Sequence, residues 1–248
     1  MTFDKSQTVR EIAINNPATV RVFEKLGIDY CCGGKRPLAE ACERANVPYQ
    51  KLIEQLSGLD TNAVSPEEQP WVNSPLAELT QHIINRHHRY VREETPRMEL
   101  LLRKVVNRHG EAHPEVKVIQ ETFVALSQEL SAHMLKEERI LFPFLEQMEL
   151  AARTGAPVPA GNFASVEFPI ARMLADHDDA GALTARIREL SSGYQVPADA
   201  CPTYRGLYHA LDEFERDLHH HVHLENNILF PRAVEMERSL QEPAHVRD

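Results

Sequence analysis

Two segments of the chain carry the same chemistry-bearing pattern: HMLKEERILFP at residues 133–143 and HVHLENNILFP at residues 221–231. Each sets a histidine four residues before a glutamate and closes on Ile-Leu-Phe-Pro. Residues i and i+4 lie one above the other on a helix face, so the imidazole nitrogen and the carboxylate can converge on one point. The side chains before them have the period of a buried helix face. Ile119, Phe123, Leu126, Leu130, His133, Glu137 and Ile140 advance by alternating steps of four and three, as do Leu207, Leu211, Phe214, Leu218, His221, Glu225 and Ile228. This seam predicts that both His/Glu pairs sit inside a core, where an unpartnered carboxylate is strongly disfavoured. A bound cation removes the difficulty, and mixed imidazole and carboxylate donors suit iron.

Position separates these pairs from chance matches. His209 and Glu213 have the same spacing but lie off the Leu207–Leu211–Phe214 stripe, which predicts a solvated or flanking face. His219 and His223 fall off the stripe containing His221, and His109 and His113, beside Gly110 and Pro114, read as a helix end and its turn. A true duplication requires one further donor from each of two other helices. His177 is the sole histidine of its pattern and falls on the stripe Ile170, Leu174, His177, Gly181, Thr184, flanked by Asp176 and Asp178. In the other helix the choice lies among His82, His87 and His88; the spacing Ile84, His88, Val91 favours His88, with His87 the close alternative. Four imidazoles and two bridging carboxylates, with a bridging oxide or hydroxide, leave two six-coordinate irons about one open position each. Open positions on a redox-active metal mean small-ligand binding or chemistry.

The elements that must hold these residues are helices. Four long patterns run roughly over 75–108, 114–150, 169–191 and 202–236, each with a proline where a first turn would begin: Pro75, Pro114, Pro169 and Pro202. Separated by loops rich in Gly, Pro and Ala, they predict a four-helix bundle over residues 75–240. Pro96 falls inside the first pattern, where a proline should kink or break the helix. Residues 1–60 read as a separate small helical module, with apolar periodicity over 9–14, 17–26, 37–44 and 48–56. Residues 61–74, TNAVSPEEQPWVNS, read as a linker that Trp71 pins to the bundle. The module's loop GIDYCCGGKRP places Cys31 and Cys32 beside Lys35, Arg36 and a helix start, surroundings expected to favour the thiolate and a redox or metal-transfer role. Cys42 reads as core.

Composition restricts the partners. A formal net charge of -10 without a dense Lys/Arg block argues against nucleic acid or an anionic membrane surface. No apolar run is long enough to span a bilayer and the first residues lack an apolar signal core, so the expectation is a cytoplasmic protein. Four cysteines, two of them adjacent, do not make a secreted disulfide framework.

DYCCGGK in a short N-terminal module, followed twice by a His-x-x-x-Glu segment ending in Leu-Phe-Pro, resembles the repair-of-iron-centres (RIC) proteins, the YtfE/ScdA/NorA-like di-iron family, over nearly the whole chain. The resemblance implies an all-α chain: a ScdA-type N-terminal domain and a hemerythrin-like four-helix bundle. It implies two non-haem irons, oxo- or hydroxo-bridged, on His88, His133, Glu137, His177, His221 and Glu225, and so selects His88 over His87. It further implies repair of iron–sulfur clusters damaged by nitric oxide or oxidative stress, by donation of labile iron. Damaged iron–sulfur proteins would be the partners, nitric oxide a small ligand, and a homodimer is compatible. The competing implication is nitric oxide or nitrite redox chemistry at the same centre.

Overall fold

A computed structural model describes residues 3–59, 71–157 and 163–241. The described residues are helical, and no strand occurs among them. No helix among them is long and apolar enough to cross a membrane.

The N-terminal module comprises α1 (Val9–Asn15), a 3₁₀ turn at Pro17–Thr19, α2 (Val20–Leu26), α3 (Leu38–Arg44) and α4 (Tyr49–Ser57). Thr8 starts α1 through a capping box: its hydroxyl accepts from the Glu11 N–H while the Glu11 carboxylate accepts from the Thr8 N–H. Gly27 ends α2 at φ +67°, a left-handed conformation that suits glycine. Val9, Ile12, Phe23, Leu38, Cys42 and Leu52 form an apolar core. The Cys loop is strapped back onto α1, whose Val9 and Arg10 N–H groups donate to the carbonyls of Arg36 (3.1 Å) and Gly34 (2.7 Å).

Residues 71–157 and 163–241 build four rods. The first joins α5 (Leu76–Ile83) to α6 (Arg89–His109), the second α7 (Glu115–Lys136) to α8 (Phe142–Thr154), the third is α9 (Glu167–Leu190), and the fourth joins α10 (Pro202–His223) to α11 (Phe230–Gln241). α6 packs on α7 and α10, and α7 on α9, so the rods enclose a common interior. That interior holds two apolar clusters. One contains Leu102, Phe123, Leu130 and Phe214; the other contains Leu79, Leu141, Met173 and Phe230. Trp71 lies against the His82 ring, with centroids 4.4 Å apart, and its carbonyl accepts from Arg232 at 2.7 Å, so it fastens the chain to the bundle as expected. The linker residues 61–70 lie outside the described residues.

Two expectations need correction. Pro96 does not break its helix: α6 continues through it, because Pro96 stands on the exposed face, where water can satisfy the carbonyl one turn back. Ile140 is not on the buried seam but 52% exposed, while Leu141 is 1% exposed. The cause is a π-helical turn at Glu137–Leu141, in which the Phe142 N–H reaches the Glu137 carbonyl five residues back. One added residue rotates the following seam by a position. Leu224–Leu229 repeats the device, the Phe230 N–H reaching the Glu225 carbonyl, and Ile84–His88 is a third such turn. Pro143 and Pro231, which lack an N–H, follow directly, where the hydrogen-bond ladder returns to the α spacing.

Candidate metal centre

Each rod that carries a π turn places a candidate ligand in it: His88, Glu137 and Glu225. His133 and His221 sit on the last α turn before one, and His177 lies midway along the regular helix α9. All six side chains meet in a buried polar layer, none more than 3% exposed. They form two groups. His88 and His221 approach through their Nε2 atoms at 3.2 Å, and His133 and His177 through theirs at 3.0 Å.

The two carboxylates lie between these pairs, and each offers one oxygen to either side. Glu137 sets Oε2 3.3 Å from His88 Nε2 and Oε1 3.2 Å from His133 Nε2. Glu225 sets Oε1 3.0 Å from His221 Nε2 and Oε2 3.0 Å from His177 Nε2. Both Glu137 oxygens and Glu225 Oε2 are buried with no hydrogen-bond partner among the described residues. Buried carboxylate oxygens without donors, facing converging imidazole nitrogens, fit cations and fit little else.

Electrostatics agree with the geometry. Burial opposes charge on His133, yet Glu137 and then Glu225 and Asp176 raise its pKa to about 9. Burial pushes the Glu225 carboxyl up, but His221 and His177 outweigh it and hold the group well below the ordinary carboxylate range. A field that stabilises positive charge among the imidazoles is one that a metal cation can use.

The outward nitrogens fix the rings. His88 Nδ1–H donates to Glu138 Oε1 at 2.7 Å, with the Arg92 guanidinium on the same oxygen. His177 Nδ1–H donates to Asn226 Oδ1 at 2.7 Å, and His133 Nδ1 lies 3.4 Å from Asp176 Oδ2, which also accepts from Lys136 Nζ at 2.5 Å. With Nδ1 protonated, Nε2 turns its lone pair inward. Phe142 stacks on His88 and Phe230 on His177, with centroids 5.8 and 6.0 Å apart. These contacts repeat the duplication.

His87, the close alternative, points elsewhere: its Nδ1 lies 3.1 Å from Asp217 Oδ1 and its ring stacks on His221 at 5.5 Å. His209 and Glu213 are exposed, and His219 and His223 belong to neither group. The backing residues Glu138 and Asn226 escaped the sequence reading, although they hold identical positions after the two glutamates. Glu149 and Glu237 escaped it too. Buried Glu149 accepts from the Leu76 and Ala77 N–H groups at the start of α5 (2.7 and 3.0 Å), and Glu237 accepts from the Val166 N–H before α9 at 2.8 Å. The shared Met-Glu pairs at 148–149 and 236–237 were the available signal.

The Cys loop docks beside this layer, but the Cys31 thiol differs from expectation. The Cys32 thiol, burial and Asp29 together push the Cys31 thiol well above its ordinary value. Arg36 is occupied by Asp29 at 3.3 Å and lies 3.7 Å from Glu40, so its charge does not serve the sulfur.

Residues 5–60 match the ScdA N-terminal family, described as a domain of unknown function, and residues 79–233 match the hemerythrin HHE cation binding domain. The chain is 36% identical over 230 residues to the iron-sulfur cluster repair protein YtfE of Citrobacter koseri, covering 93% of this chain and 97% of the relative. It belongs to the YtfE-like, hemerythrin-related iron–sulfur cluster repair family. Another YtfE-like relative, from Pectobacterium atrosepticum, is 37% identical over 231 residues, with 93% and 97% of the two chains covered. A probable iron-sulfur cluster repair protein of Haemophilus influenzae is 34% identical over 228 residues, with 92% and 96% covered. In this YtfE-like chain the buried His/Glu groups fit iron binding by a cation-binding bundle.

Proposed function

We propose that this chain repairs iron–sulfur clusters in the cytoplasm by supplying iron from a two-iron centre. His88 and His221 would hold one ion and His133 and His177 the other, while Glu137 and Glu225, each with one oxygen toward either pair, would bridge them, with an oxide or hydroxide as a third bridge. Residues 1–60 act as a docked module joined by the 61–74 linker to the bundle at 75–240. The observation that carries this reading is that both buried carboxylates direct one oxygen to each histidine pair. Ferrous iron is the cargo, and nitric oxide or oxidative damage to a partner's cluster creates the demand. The residues' own work is to hold the ions, exclude water and keep the imidazoles oriented through Glu138, Asp176 and Asn226. Iron-loaded protein is expected to restore activity to a cluster enzyme damaged by nitric oxide, and His133→Ala with Glu137→Ala to abolish the effect. Equal recovery from free ferrous iron at matched concentration contradicts the proposal.

A second reading uses the same centre for nitric oxide or nitrite reduction. Its support is that two imidazoles and two carboxylate oxygens leave each six-coordinate ion with positions for a small ligand. Stopped-flow mixing of the reduced protein with nitric oxide separates the readings: about one nitrous oxide per two-iron centre, rising to catalytic excess when an external electron donor is added, favours reduction, and a stoichiometric adduct without nitrous oxide rejects it.

A further inference from the structure

One side chain connects the Cys loop to the metal layer. Asn226 Oδ1 accepts from His177 Nδ1, and Asn226 Nδ2 donates to the Cys31 carbonyl at 3.3 Å. Asn227 beside it donates to the carbonyls of Tyr30 (2.9 Å) and Cys31 (3.4 Å). The loop fits closely there: a Cβ on Gly34 would meet the Tyr30 carbonyl at 2.8 Å and the Asn227 amide oxygen at 2.9 Å.

Within the loop three metal-ligating groups converge. Cys31 Sγ lies 3.5 Å from Asp29 Oδ1 and 3.8 Å from Cys32 Sγ. Arg36 occupies Asp29 Oδ2, leaving Oδ1 toward the thiols. Asp29, Cys31 and Cys32 line a cavity of about 1310 Å³ that His177 and Gly181 also line. Gly181 stands opposite the loop, and a Cβ there would reach 4.0 Å from Cys32 Sγ. Glycine inside a helix costs roughly 1 kcal/mol relative to alanine. Here it leaves the space between sulfur and His177 open.

We propose that Asp29, Cys31 and Cys32 form a second metal site, which receives ferrous iron leaving the His133–His177 half across this shared cavity. The transfer step rests on the iron-donation reading; the thiol site itself does not. Two sulfurs and a carboxylate suit a borderline divalent ion. In the transfer, bonds from iron to the two imidazoles, the carboxylate oxygens and the bridging hydroxide break, and bonds to both sulfurs and an Asp29 oxygen form. One thiol proton goes to the freed hydroxide, which becomes water, and the other to solvent, and iron remains ferrous, so no electron moves.

Cobalt(II) tests the site on the full metal-free chain under anaerobic conditions. The expected result is a near-ultraviolet sulfur-to-cobalt charge-transfer band, retained in His133→Ala/His177→Ala and lost in Cys31→Ser/Cys32→Ser. A missing band, or one that survives the double serine change, overturns the proposal. Ferrous iron release from the loaded chain to a chelator then tests the route. Cys31→Ser/Cys32→Ser and Gly181→Leu should each keep their bundle iron and release it at least about tenfold more slowly, with Gly181→Leu keeping the cobalt band. Unchanged release rates in both variants overturn the transfer step while donation stands. Failure of the unaltered chain to deliver iron to any acceptor instead refutes donation, and the cobalt band still judges the thiol site.

Discussion

In the half of the centre formed by His88 and His221, the outward nitrogen of His88 meets the carboxylate of Glu138, while His221 lies against the ring of His87. In the half formed by His133 and His177, His133 faces Asp176 and His177 is held by the neutral amide of Asn226. These backing positions correspond under the duplication. Glu138 and Asn226 each follow a bridging-position glutamate, and His87 and Asp176 each precede a histidine. The repeat is therefore kept where side chains meet in the buried polar layer and changed one residue away. The change at Asn226-Asn227 coincides with the docked Cys loop, whereas the equivalent Glu138 is tied to Arg92 within the bundle. A histidine backed by a carboxylate is a more basic ligand than one backed by an amide, so His177 would be a weaker donor to an ion than His88 or His133.

The sharpest way to break this comparison is to remove what the halves share. Glu137→Ala or Glu225→Ala should each strip both irons, because each carboxylate faces both pairs, whereas His177→Ala should empty its own half and leave about one iron per chain. Metal analysis by mass spectrometry distinguishes the two patterns. Altering one backing residue should unbalance the halves instead. Glu138→Ala is expected to weaken iron binding at the His88 half by about 10–100-fold, and Asn226→Asp to tighten the other half by about tenfold, in titrations against a competing chelator. Away from the metal, the halves should behave alike. Glu149→Ala leaves the Leu76 and Ala77 N–H groups, and Glu237→Ala the Val166 N–H, without that acceptor, so each should cost about 1–3 kcal/mol in urea unfolding.

The smallest effect concerns docking. Burial pushes His223, set between Tyr30 and Asn227, down to about 4 from an ordinary 6.5. A depressed histidine contributes stability that is complete above pH 6.5 and is lost as pH falls toward 4. Stability in urea unfolding should therefore fall across that window in the native chain, and the fall should be smaller in His223→Gln.

The bundle and the polar layer were legible in the sequence because a duplicated His/Glu pair set into an apolar seam has few other physical explanations. For His88 the spacing only favoured the choice and the family resemblance made it, since His87 and His88 are adjacent and both buried, and the structure sets His88 against Glu137 and His87 against Asp217. Ile140 was misread because the seam counted at α-helical spacing slips by one residue through the π turn at Glu137–Leu141, whereas its counterpart Ile228 stays buried. Glu138, Asp176 and Asn226 act across to neighbouring rods, a relation that periodicity along one helix does not encode. Pro96 misled because the rule against interior proline is relaxed on a face open to water. The Cys31 thiol departs from the expected thiolate because it is buried beside Cys32 and Asp29, while Arg36 is engaged by Asp29.

The most direct test of a two-iron centre with unlike halves is Mössbauer spectroscopy of protein loaded with iron-57 without air. Two quadrupole doublets of equal area are expected, both disappearing together in Glu137→Ala/Glu225→Ala. A single doublet from one iron per chain, or iron retained in that double variant, would contradict the account.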